Sequence, residues 1–287
     1  MSADAGTPIS HVSDTALWVA IYRAMESERP DAIFKDPYAR RMGGERGEAI
    51  VQHMPSGKAM AWPMIVRTAV MDEIILRTVA QGARSVLNLA AGLDTRAFRL
   101  RLPPALRWFD VDFPDMVAYR REHLDGVAPA CVHEHVAADL VDADARRAVF
   151  AKAAAQGPVL IVAEGLLIYL SEAEVSGLAR ALHDQTSLRW WLIDIASPRL
   201  LAMLAKGWGV RLAAGGAPMK FAPAAGTAFF APLGWKEIEF HSSWTESIRL
   251  KRTMRLAWLW QIVARLQSKQ KQEEGKRMAG IALLERT

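Results

Sequence analysis

The fold of this chain is decided by residues 84–99, which read Arg-Ser-Val-Leu-Asn-Leu-Ala-Ala-Gly-Leu-Asp-Thr-Arg-Ala-Phe-Arg. The apolar run Ser85–Leu89 predicts a buried strand. Small residues follow at positions 90–92 and predict a tight turn, and either Asp94 or Thr95 is suited to cap a helix after it. A strand, a small-residue turn and a helix in this order allow a ligand to lie against the backbone.

A second strand supplies an acid that suits such a site. Residues 108–112 read Trp-Phe-Asp-Val-Asp, and Asp112 comes twenty residues after Gly92. An acid at the end of the neighbouring strand can hold two ribose hydroxyls, so the sequence predicts half of a nucleoside-binding fold. Two plainer interpretations stay open, because a lone glycine marks many turns and an aspartate before Phe113-Pro114 commonly caps a helix.

The composition is that of a large folded domain. Of the 287 residues, 51% are hydrophobic, which is ample for a core and argues against disorder. The one cysteine, Cys131, cannot form an intrachain disulfide, so we expect a cytoplasmic protein. We expect no signal peptide and, because no long apolar run occurs, no membrane partner.

The chain is basic, with a formal net charge of +5 and a pI of about 9.5. Part of the excess lies between Arg249 and Lys276, in Lys251, Arg252, Arg255, Arg265, Lys269 and Lys271. Basic proteins often bind nucleic acid, but the interleaved aromatic and basic residues of single-strand binders are not seen. We interpret the excess as a solvated face and expect no nucleic-acid partner.

Strands and helices alternate through the middle of the chain. Apolar runs predict strands at Ser85–Leu89, Leu106–Val111, Val132–Ala137, Val159–Ala163 and Arg189–Ile195. Helical patterns lie between them, near Thr95–Leu100, Pro114–Leu124, Asp142–Ala155 and Glu172–Gln185. Two more strands, Trp235–His241 and Met278–Leu284, flank a helix at Thr253–Gln272. We predict an α/β fold with a doubly wound, mostly parallel seven-stranded sheet, into which the last strand inserts as a hairpin.

The segments outside this core predict additions to it. Helical patterns occur at Asp14–Met25, Pro37–Met42 and Met64–Val79, and a glycine-rich crossover at Lys206–Gly226. We predict one domain over residues 1–287, with an N-terminal helical cap (1–80), a binding core (84–196), a lid or insertion (197–234) and C-terminal strands with a helix (235–287). Because ligands bind at the carboxyl ends of such strands, we expect the segment Asp14–Met42 and the crossover to form a lid there.

Short motifs occur in order along nearly the whole chain. They are His11–Ala16, Asp36–Ala39, Arg67 five residues before Asp72, Ala91–Arg96, Asp110–Pro114, Ala138–Leu140, Glu164–Leu170 and Gly234-Trp235. Each motif is weak by itself, but together and at these distances they are specific. The chain resembles the leucine carboxyl methyltransferase-like group of class I methyltransferases, whose bacterial members include many small-molecule O-methyltransferases.

The resemblance implies a Rossmann-like class I methyltransferase fold and the cofactor S-adenosyl-L-methionine (SAM). It implies that Arg67 grips the SAM carboxylate, a task that suits a bidentate guanidinium. It places Glu164 toward the methionine amino group or the sulfonium, and Asp112 on the ribose diol. Asp139 is expected to accept from the adenine amino group, while Leu140 packs on the adenine or donates a backbone N–H.

Two residues near Gly92 depart from the family pattern. Many relatives have an acid and a glycine where this chain has Asn88 and Ala90. Asn88 lacks a charge that could orient the methionine ammonium, and Ala90 adds a methyl group to the turn. Gly92 still permits close approach of the backbone to the methionine part, so we expect a working SAM site at these positions.

The acceptor is expected to be a small carboxylic acid or phenol. A carboxylate acceptor needs no general base, whereas a hydroxyl does, and no residue stands out as a base. This favours O-methylation of a carboxylate, with Tyr169 as a candidate for positioning the acceptor and core packing as its alternative role. A hydrophobic molecule such as a secondary metabolite would suit the apolar residues available, which are Met60, Trp62, Trp208, Met219 and Phe221.

Other functions stay open as alternatives. The family name also fits methylation of the C-terminal carboxylate of a protein. A non-catalytic SAM-binding or scaffold protein finds support only in Asn88 and Ala90. An NAD-dependent dehydrogenase would need Gly-x-Gly-x-x-Gly after the first strand, and residues 88–93 offer a single glycine.

Two further predictions concern metals and oligomers. His133 and His135 have the spacing to share a metal, but no third ligand is evident from the sequence, so we predict no metal site. Trp258 and Trp260 lie on nearly opposite sides of a predicted helix. At least one of them is therefore suited to an interface, as in a homodimer.

Overall fold

Seven strands form one mixed sheet in the computed structural model of the chain, which describes residues 14–53, 61–206, 218–254 and 256–287. The strands are β1 (Ser85–Leu89), β2 (Arg107–Asp112), β3 (Val132–Ala137), β4 (Val159–Ala163), β5 (Leu188–Ala196), β6 (Trp235–Ser242) and β7 (Ala279–Arg286). Their order in the sheet is β3-β2-β1-β4-β5-β7-β6. Strands β1 to β5 are parallel, and β7 lies antiparallel between β5 and β6. The predicted α/β sheet with its inserted last strand is confirmed.

Helices pack against the sheet, and the first three, which precede β1, form an N-terminal addition to it. They are α1 (Asp14–Ser27), α2 (Ala39–His53), α3 (Trp62–Ala80), α4 (Arg96–Arg99), α5 (Pro114–His123), α6 (Ala143–Ala154), α7 (Glu172–His183), α8 (Pro198–Leu204), α9 (Ser243–Arg249), α10 (Ala257–Arg265) and α11 (Lys269–Lys276). Local sequence sets several of their starts. Ser171 and Glu174 form a capping box before α7, and Asp142 accepts two backbone N–H groups at the start of α6.

The central strands are buried on both faces because their side chains alternate between two apolar cores. In β1, Leu87 joins the core formed with α6 and α7, whereas Val86 joins the core formed with α3. In β5, Trp191 and Trp190 divide between the same two cores, and both are buried. This alternation explains why the parallel strands read as nearly continuous apolar runs.

The N-terminal helices form a third apolar cluster beside the turn after β1. Leu17 and Ile21 of α1 and Met42 of α2 pack in one cluster with Leu93, which follows that turn, and Met116 of α5. The cap therefore lies next to the carboxyl end of β1, where the sequence predicts the ligand.

Four helical segments differ from the prediction. The helix predicted at Pro37–Met42 is followed by a second helical stretch that ends at His53, and the two meet at a kink where Gly44 has a non-helical backbone (φ 57°). The helix predicted at Thr253–Gln272 is two helices, and Ser268 caps the second by accepting from the backbone N–H of Lys271. Helices α8 and α9 were not predicted, because seven residues are too few to show helical periodicity.

The glycine-rich crossover lies only partly within the described residues. Its central part, 207–217, lies outside them, as do residues 1–13 and 54–60. Beyond that gap, the backbone N–H groups of Lys220 and Phe221 donate to the carbonyl of Ile168 at 2.7 and 3.1 Å. The lid and the division of the domain remain predictions. Among the described helices, none combines the length and apolarity needed to cross a membrane.

Candidate functional site

A cavity of about 1250 Å³ lies at the carboxyl ends of the central strands. This volume exceeds the roughly 300–1,000 Å³ of a site for one small ligand, so it has room for a cofactor and an acceptor together. Its lining includes every residue that the sequence assigns to the site, namely Arg67, Asn88, Ala90, Gly92, Asp112, Asp139, Leu140, Glu164 and Tyr169. The structure thus brings these residues together, while their individual roles remain predictions.

The turn after β1 bends sharply at two residues. Ala90 and Gly92 have φ values of 49° and 50°, in the left-handed region that disfavours side chains. A Cβ atom at Gly92 would also lie 3.2 Å from the Cβ of Ala16, so glycine is needed there. Ala90 is strained by the same backbone conformation, which gives a physical reason for glycine at this position in relatives.

We expect Ala90→Gly to raise the free energy of unfolding by about 0.5–1 kcal/mol. An alanine in the left-handed region costs roughly 1–2 kcal/mol, and the greater freedom of glycine in the unfolded chain offsets part of the gain. Ala91→Gly is the matched control, because Ala91 is buried and has no positive φ, and it should lower stability. Urea unfolding of the three proteins checks this. Equal loss of stability in both variants would show that Ala90 is unstrained.

Asp112 connects the end of β2 to the turn. Its Oδ2 accepts from the backbone N–H of Gly92 at 2.7 Å, and its Oδ1 accepts from the N–H of Phe113 at 2.8 Å. Burial raises the pKa of Asp112 above its ordinary value. Each carboxylate oxygen keeps a lone pair beyond the one used, so the group can still accept from two ligand hydroxyls at the cavity wall.

Arg67 of α3 joins the ends of β4 and β5. Its Nε donates to Oε1 of Glu164 at 2.9 Å, and its Nη1 donates to Oδ2 of Asp194 at 2.8 Å. The other oxygen of Asp194 accepts from the backbone N–H of Gly165 at 2.7 Å. Among the described residues no hydrogen-bond partner is seen for Nη2 of Arg67, which leaves this donor for a ligand carboxylate.

Arg96 is the buried centre of the ion pairs around the cavity. Its Nη1 donates to Glu164 at 2.6 Å and to Asp94 at 2.7 Å, and its Nε donates to Asp72 at 2.6 Å. Arg96 and Arg67 outweigh the effect of burial and lower the pKa of Glu164 to about 2. Glu164 is therefore a carboxylate at neutral pH and can attract a ligand ammonium.

The N-terminal cap is tied to the turn by a second set of ionic contacts. Arg23 of α1 donates to Asp36 at 2.9 Å and to the carbonyl of Leu93 at 2.5 Å. The hydroxyl of Thr95 also donates to Asp36, at 2.7 Å. These contacts give the Asp36–Ala39 motif a structural role, which is to hold the cap against the ligand-binding turn.

Asn88 takes part in a buried polar cluster beneath the turn. Its Nδ2 donates to Asp110 at 2.8 Å and to Asp94 at 3.1 Å. Asp110 also pairs with Arg120, whose Nη1 donates to the carbonyls of Gly92 and Asp94 at 2.8 and 2.7 Å. Asn88 is thus held by its neighbours and helps to fix the turn, in place of the charge expected at this position.

The sequence shows no third ligand beside His133 and His135, but the structure places Asp110 next to them. Ligand atoms of Asp110 and both histidines lie within 4.8 Å of one another. Asp110 was not evident as a neighbour because it belongs to β2, the adjacent strand. However, Oδ2 of Asp110 already accepts from both Arg120 and Nε2 of His133, and Arg120 is fully buried. A buried guanidinium at this carboxylate opposes the binding of a metal cation. Separately, burial lowers the pKa of His135 to about 4.

The other predicted residues lie further along the cavity wall. Asp139 is exposed, and its Oδ1 accepts from the backbone N–H of Val141 at 2.8 Å, which shapes the loop after β3. The carbonyl of Leu140 accepts from Arg146 at 2.9 Å. Burial raises the pKa of Tyr169, whose hydroxyl is hydrogen-bonded to Thr15. Tyr169 is therefore a neutral phenol at the cavity wall.

Sequence reasoning missed two residues that hold the site together. Asp194 lies two residues before the end of β5, and Asp112 ends β2, so a rule about acids near the ends of strands could have found it. Arg96 follows the turn directly, but its partners Asp72 and Glu164 are 24 and 68 positions away, and no local signal reveals them. Of the predicted apolar lining, Trp62, Met219 and Phe221 line the cavity, whereas Met60 and Trp208 lie outside the described residues.

The sheet order and the cavity at its carboxyl edge define the class I methyltransferase fold. The sequence model for "leucine carboxyl methyltransferase" matches residues 16–183, more than half of the chain. The chain therefore belongs to the leucine carboxyl methyltransferase family, as its motifs predict.

Individual relatives agree with this assignment. A protein of Saccharopolyspora erythraea named "Putative S-adenosyl-L-methionine-dependent methyltransferase" is 37% identical over 71% of this chain and 77% of its own length. A relative of the same description from Parafrankia is 37% identical over 62% of this chain, but the match spans only 59% of that relative.

Solved structures share the fold. A DUF574 family protein from Streptomyces avermitilis has a TM-score of 0.61 at 15% identity, with 98% of this chain and 99% of that chain covered. A "putative methyltransferase" from Thermobifida fusca has a TM-score of 0.53 at 15% identity, with both chains fully covered.

Proposed function

We propose that this chain is a SAM-dependent O-methyltransferase that methylates the carboxylate of a hydrophobic small molecule. The observation that carries the proposal is the arrangement of Arg67, Glu164 and Asp112 around one cavity whose remaining wall is largely apolar. Family membership and the names of relatives support the cofactor. A carboxylate is favoured as the acceptor because, unlike a hydroxyl, it needs no general base.

The charged groups of the cavity fit the parts of SAM. Arg67 offers a donor for the carboxylate of the methionine part, and ionised Glu164 offers an acceptor for its ammonium. Asp112 offers two oxygens to the ribose diol, and the glycine at position 92 leaves space where a Cβ would crowd the turn. When bound, SAM supplies a methyl group on a sulfonium that reacts by in-line displacement.

The protein's own contribution would be to orient the acceptor and to exclude water. Tyr169 is protonated at neutral pH because burial raises its pKa, so it can donate a hydrogen bond to an acceptor oxygen but does not serve as a base. A carboxylate acceptor is already ionised and needs no base. Trp62, Met219 and Phe221 provide an apolar wall that displaces water around it.

Binding and turnover can be tested directly. We expect calorimetry to show micromolar binding of SAM and of its demethylated product, and radiolabelled SAM to transfer methyl to aryl or alkyl carboxylic acids in a panel of acids, phenols and peptides. Base-labile methyl esters are the signature of a carboxylate acceptor. Methylation of peptides alone would favour the C-terminal carboxylate of a protein, and binding without any turnover would favour a non-catalytic SAM-binding protein.

Arg67→Lys should weaken SAM binding by about tenfold or more, because a single ammonium cannot keep the contacts to Glu164 and Asp194 and also present a donor to the SAM carboxylate. The variant should bind methylthioadenosine, which lacks that carboxylate, as the parent does. Arg77→Lys on the same helix is the matched control, because Arg77 pairs with Glu239 at the surface. If Arg67→Lys weakens both ligands equally, Arg67 does not contact the SAM carboxylate.

A further inference from the structure

Helix α10 presents large apolar side chains to solvent and smaller or polar ones to the protein. Ala257 is buried, and Gln261 and Ala264 are partly buried at the helical spacing of one face. A surface helix of a globular protein normally has the opposite arrangement. The side chains from 41% to 83% exposed, which we call the α10 patch, are Leu256, Trp258, Leu259, Trp260, Ile262 and Leu266.

The α10 patch is continuous with the mouth of the cavity. Trp260 belongs both to the patch and to the cavity lining. Three other exposed apolar residues, Met203, Ile248 and Met254, also line the cavity. An exposed apolar surface of this extent marks an interaction site, and here the surface leads into the proposed acceptor site.

The net charge of the chain is concentrated in the stretch of sequence that contains the α10 patch. From Lys251 to the end of α11 at Lys276, the sequence has seven Lys and Arg residues and two Glu residues. This excess of five equals the net charge of the whole chain, and the remaining residues balance at 29 basic against 29 acidic. Within this stretch Arg252 is buried and paired with Glu26, whereas Lys251, Lys269 and Lys271 are exposed. The exposed lysines that flank the patch in sequence are complementary to a negatively charged partner.

We propose that the α10 patch docks on a lipid bilayer that contains anionic headgroups. Exposed tryptophans with flanking lysines on a short helix suit the boundary between headgroups and acyl chains. A second copy of the chain is disfavoured as the occupant, because a symmetric contact would bring the exposed lysines of two copies, Lys251, Lys269 and Lys271, together. The sequence predicted no membrane partner because it has no apolar run long enough to span a bilayer. Docking at the surface of a bilayer does not need such a run.

Docking would also define the acceptor, and this step rests on the proposed function. A bilayer placed against Trp260 lies beside the cavity mouth, so an amphiphilic carboxylic acid can move from lipid into the cavity along an apolar surface. The acceptor class is then a carboxylic acid with a lipid-soluble tail. Such an acid then reaches the cavity without passing through water, where its apolar tail would be exposed.

The test is co-sedimentation of the full chain with vesicles, without SAM or acceptor. We expect binding to vesicles of phosphatidylcholine mixed equally with phosphatidylglycerol, weaker binding by about tenfold or more to phosphatidylcholine alone, and release by added salt. Trp258→Glu and Leu266→Glu should each weaken binding by roughly tenfold or more, and Lys269→Glu by about tenfold.

Matched controls separate the patch from general effects of charge and hydrophobicity. Val132→Glu changes an exposed apolar residue on the edge strand β3, and Lys236→Glu reverses an exposed charge on β6, so both should bind vesicles like the parent. No binding to the anionic vesicles, or equal binding by Trp258→Glu, Leu266→Glu and the parent, overturns the proposal. A dimer in light scattering that Trp258→Glu dissociates, without vesicle binding, identifies a second copy as the occupant and also overturns it.

Docking and methyl transfer can fail separately. Vesicle binding is measured without cofactor, so it does not depend on SAM chemistry. If the chain binds vesicles but transfers no methyl group to any carboxylic acid, the proposed function is wrong and docking stands. If it methylates soluble acids in solution and ignores vesicles, the proposed function stands and docking is wrong.

Discussion

Asp112→Ala is expected to weaken SAM binding by about 2–4 kcal/mol, or roughly 30- to 1,000-fold. The variant loses two charge-assisted hydrogen bonds to the ribose hydroxyls. It also removes the acceptors of the Gly92 and Phe113 N–H groups, but both lie beside the cavity, where water can replace the carboxylate. Calorimetry with SAM and with its demethylated product measures the loss.

Two comparisons support the interpretation of that result. Asp115→Ala removes an exposed carboxylate in the first turn of α5 and should bind SAM like the parent. Thermal unfolding should show that Asp112→Ala is folded. A folded Asp112→Ala protein with parental affinity for SAM would mean that Asp112 does not hold the ribose.

Arg96→Met is expected to lower the free energy of unfolding by about 3–5 kcal/mol. The substitution leaves buried carboxylates of Asp72, Asp94 and Glu164 without a shared cation, and breaking a buried ion pair from one side is strongly destabilising. Arg147→Met is the control, because Arg147 and Asp144 form an exposed pair, with 70% and 87% of their side chains accessible. Its effect should be below about 0.5 kcal/mol in the same urea titration.

The pH dependence of stability gives Arg96 a second readout. The folded-state pKa of Glu164 is about 2, below its ordinary value of 4.5, so its contribution to stability is present above pH 4.5 and is lost as the pH falls toward 2. Arg96→Met should raise that pKa and make this acid loss shallower than in the parent. If Arg96→Met does not fold, Arg96→Met with Glu164→Gln should recover part of the stability, because it removes a buried charge that has lost one of its two arginine partners. A parental acid limb in Arg96→Met would show that Arg96 does not ionise Glu164.

The sheet was predictable because its signals are local. Apolar runs such as Val159–Ala163 are buried on both faces, so each strand is visible without knowledge of its neighbours. The helix predicted at Thr253–Gln272 was less accurate, since its apolar residues do not face the core. Periodicity alone does not show where such a helix breaks, and the cap at Ser268 is a weak signal.

The residues of the site were predictable where a rule connects position to chemistry. Asp112 was found because it ends a strand next to the turn, and Arg67 was found because its motif resembles a known family. The ion pairs among Arg96, Asp72 and Glu164 were not found, because each joins distant segments and depends on the folded arrangement. Asp110 was missed as a partner of His133 for the same reason.

The position of β7 in the sheet has a consequence for biosynthesis. Strand β5 is mostly buried, yet its second neighbour, β7, begins only at Ala279, after a long stretch of chain that includes β6. While the ribosome makes that stretch, Trp190–Ile193 presents an unpaired apolar edge that can join another nascent chain. The sheet is therefore completed only after β7 has been made, and general chaperones that shield hydrophobic strands should raise the yield of native protein more than slower translation does.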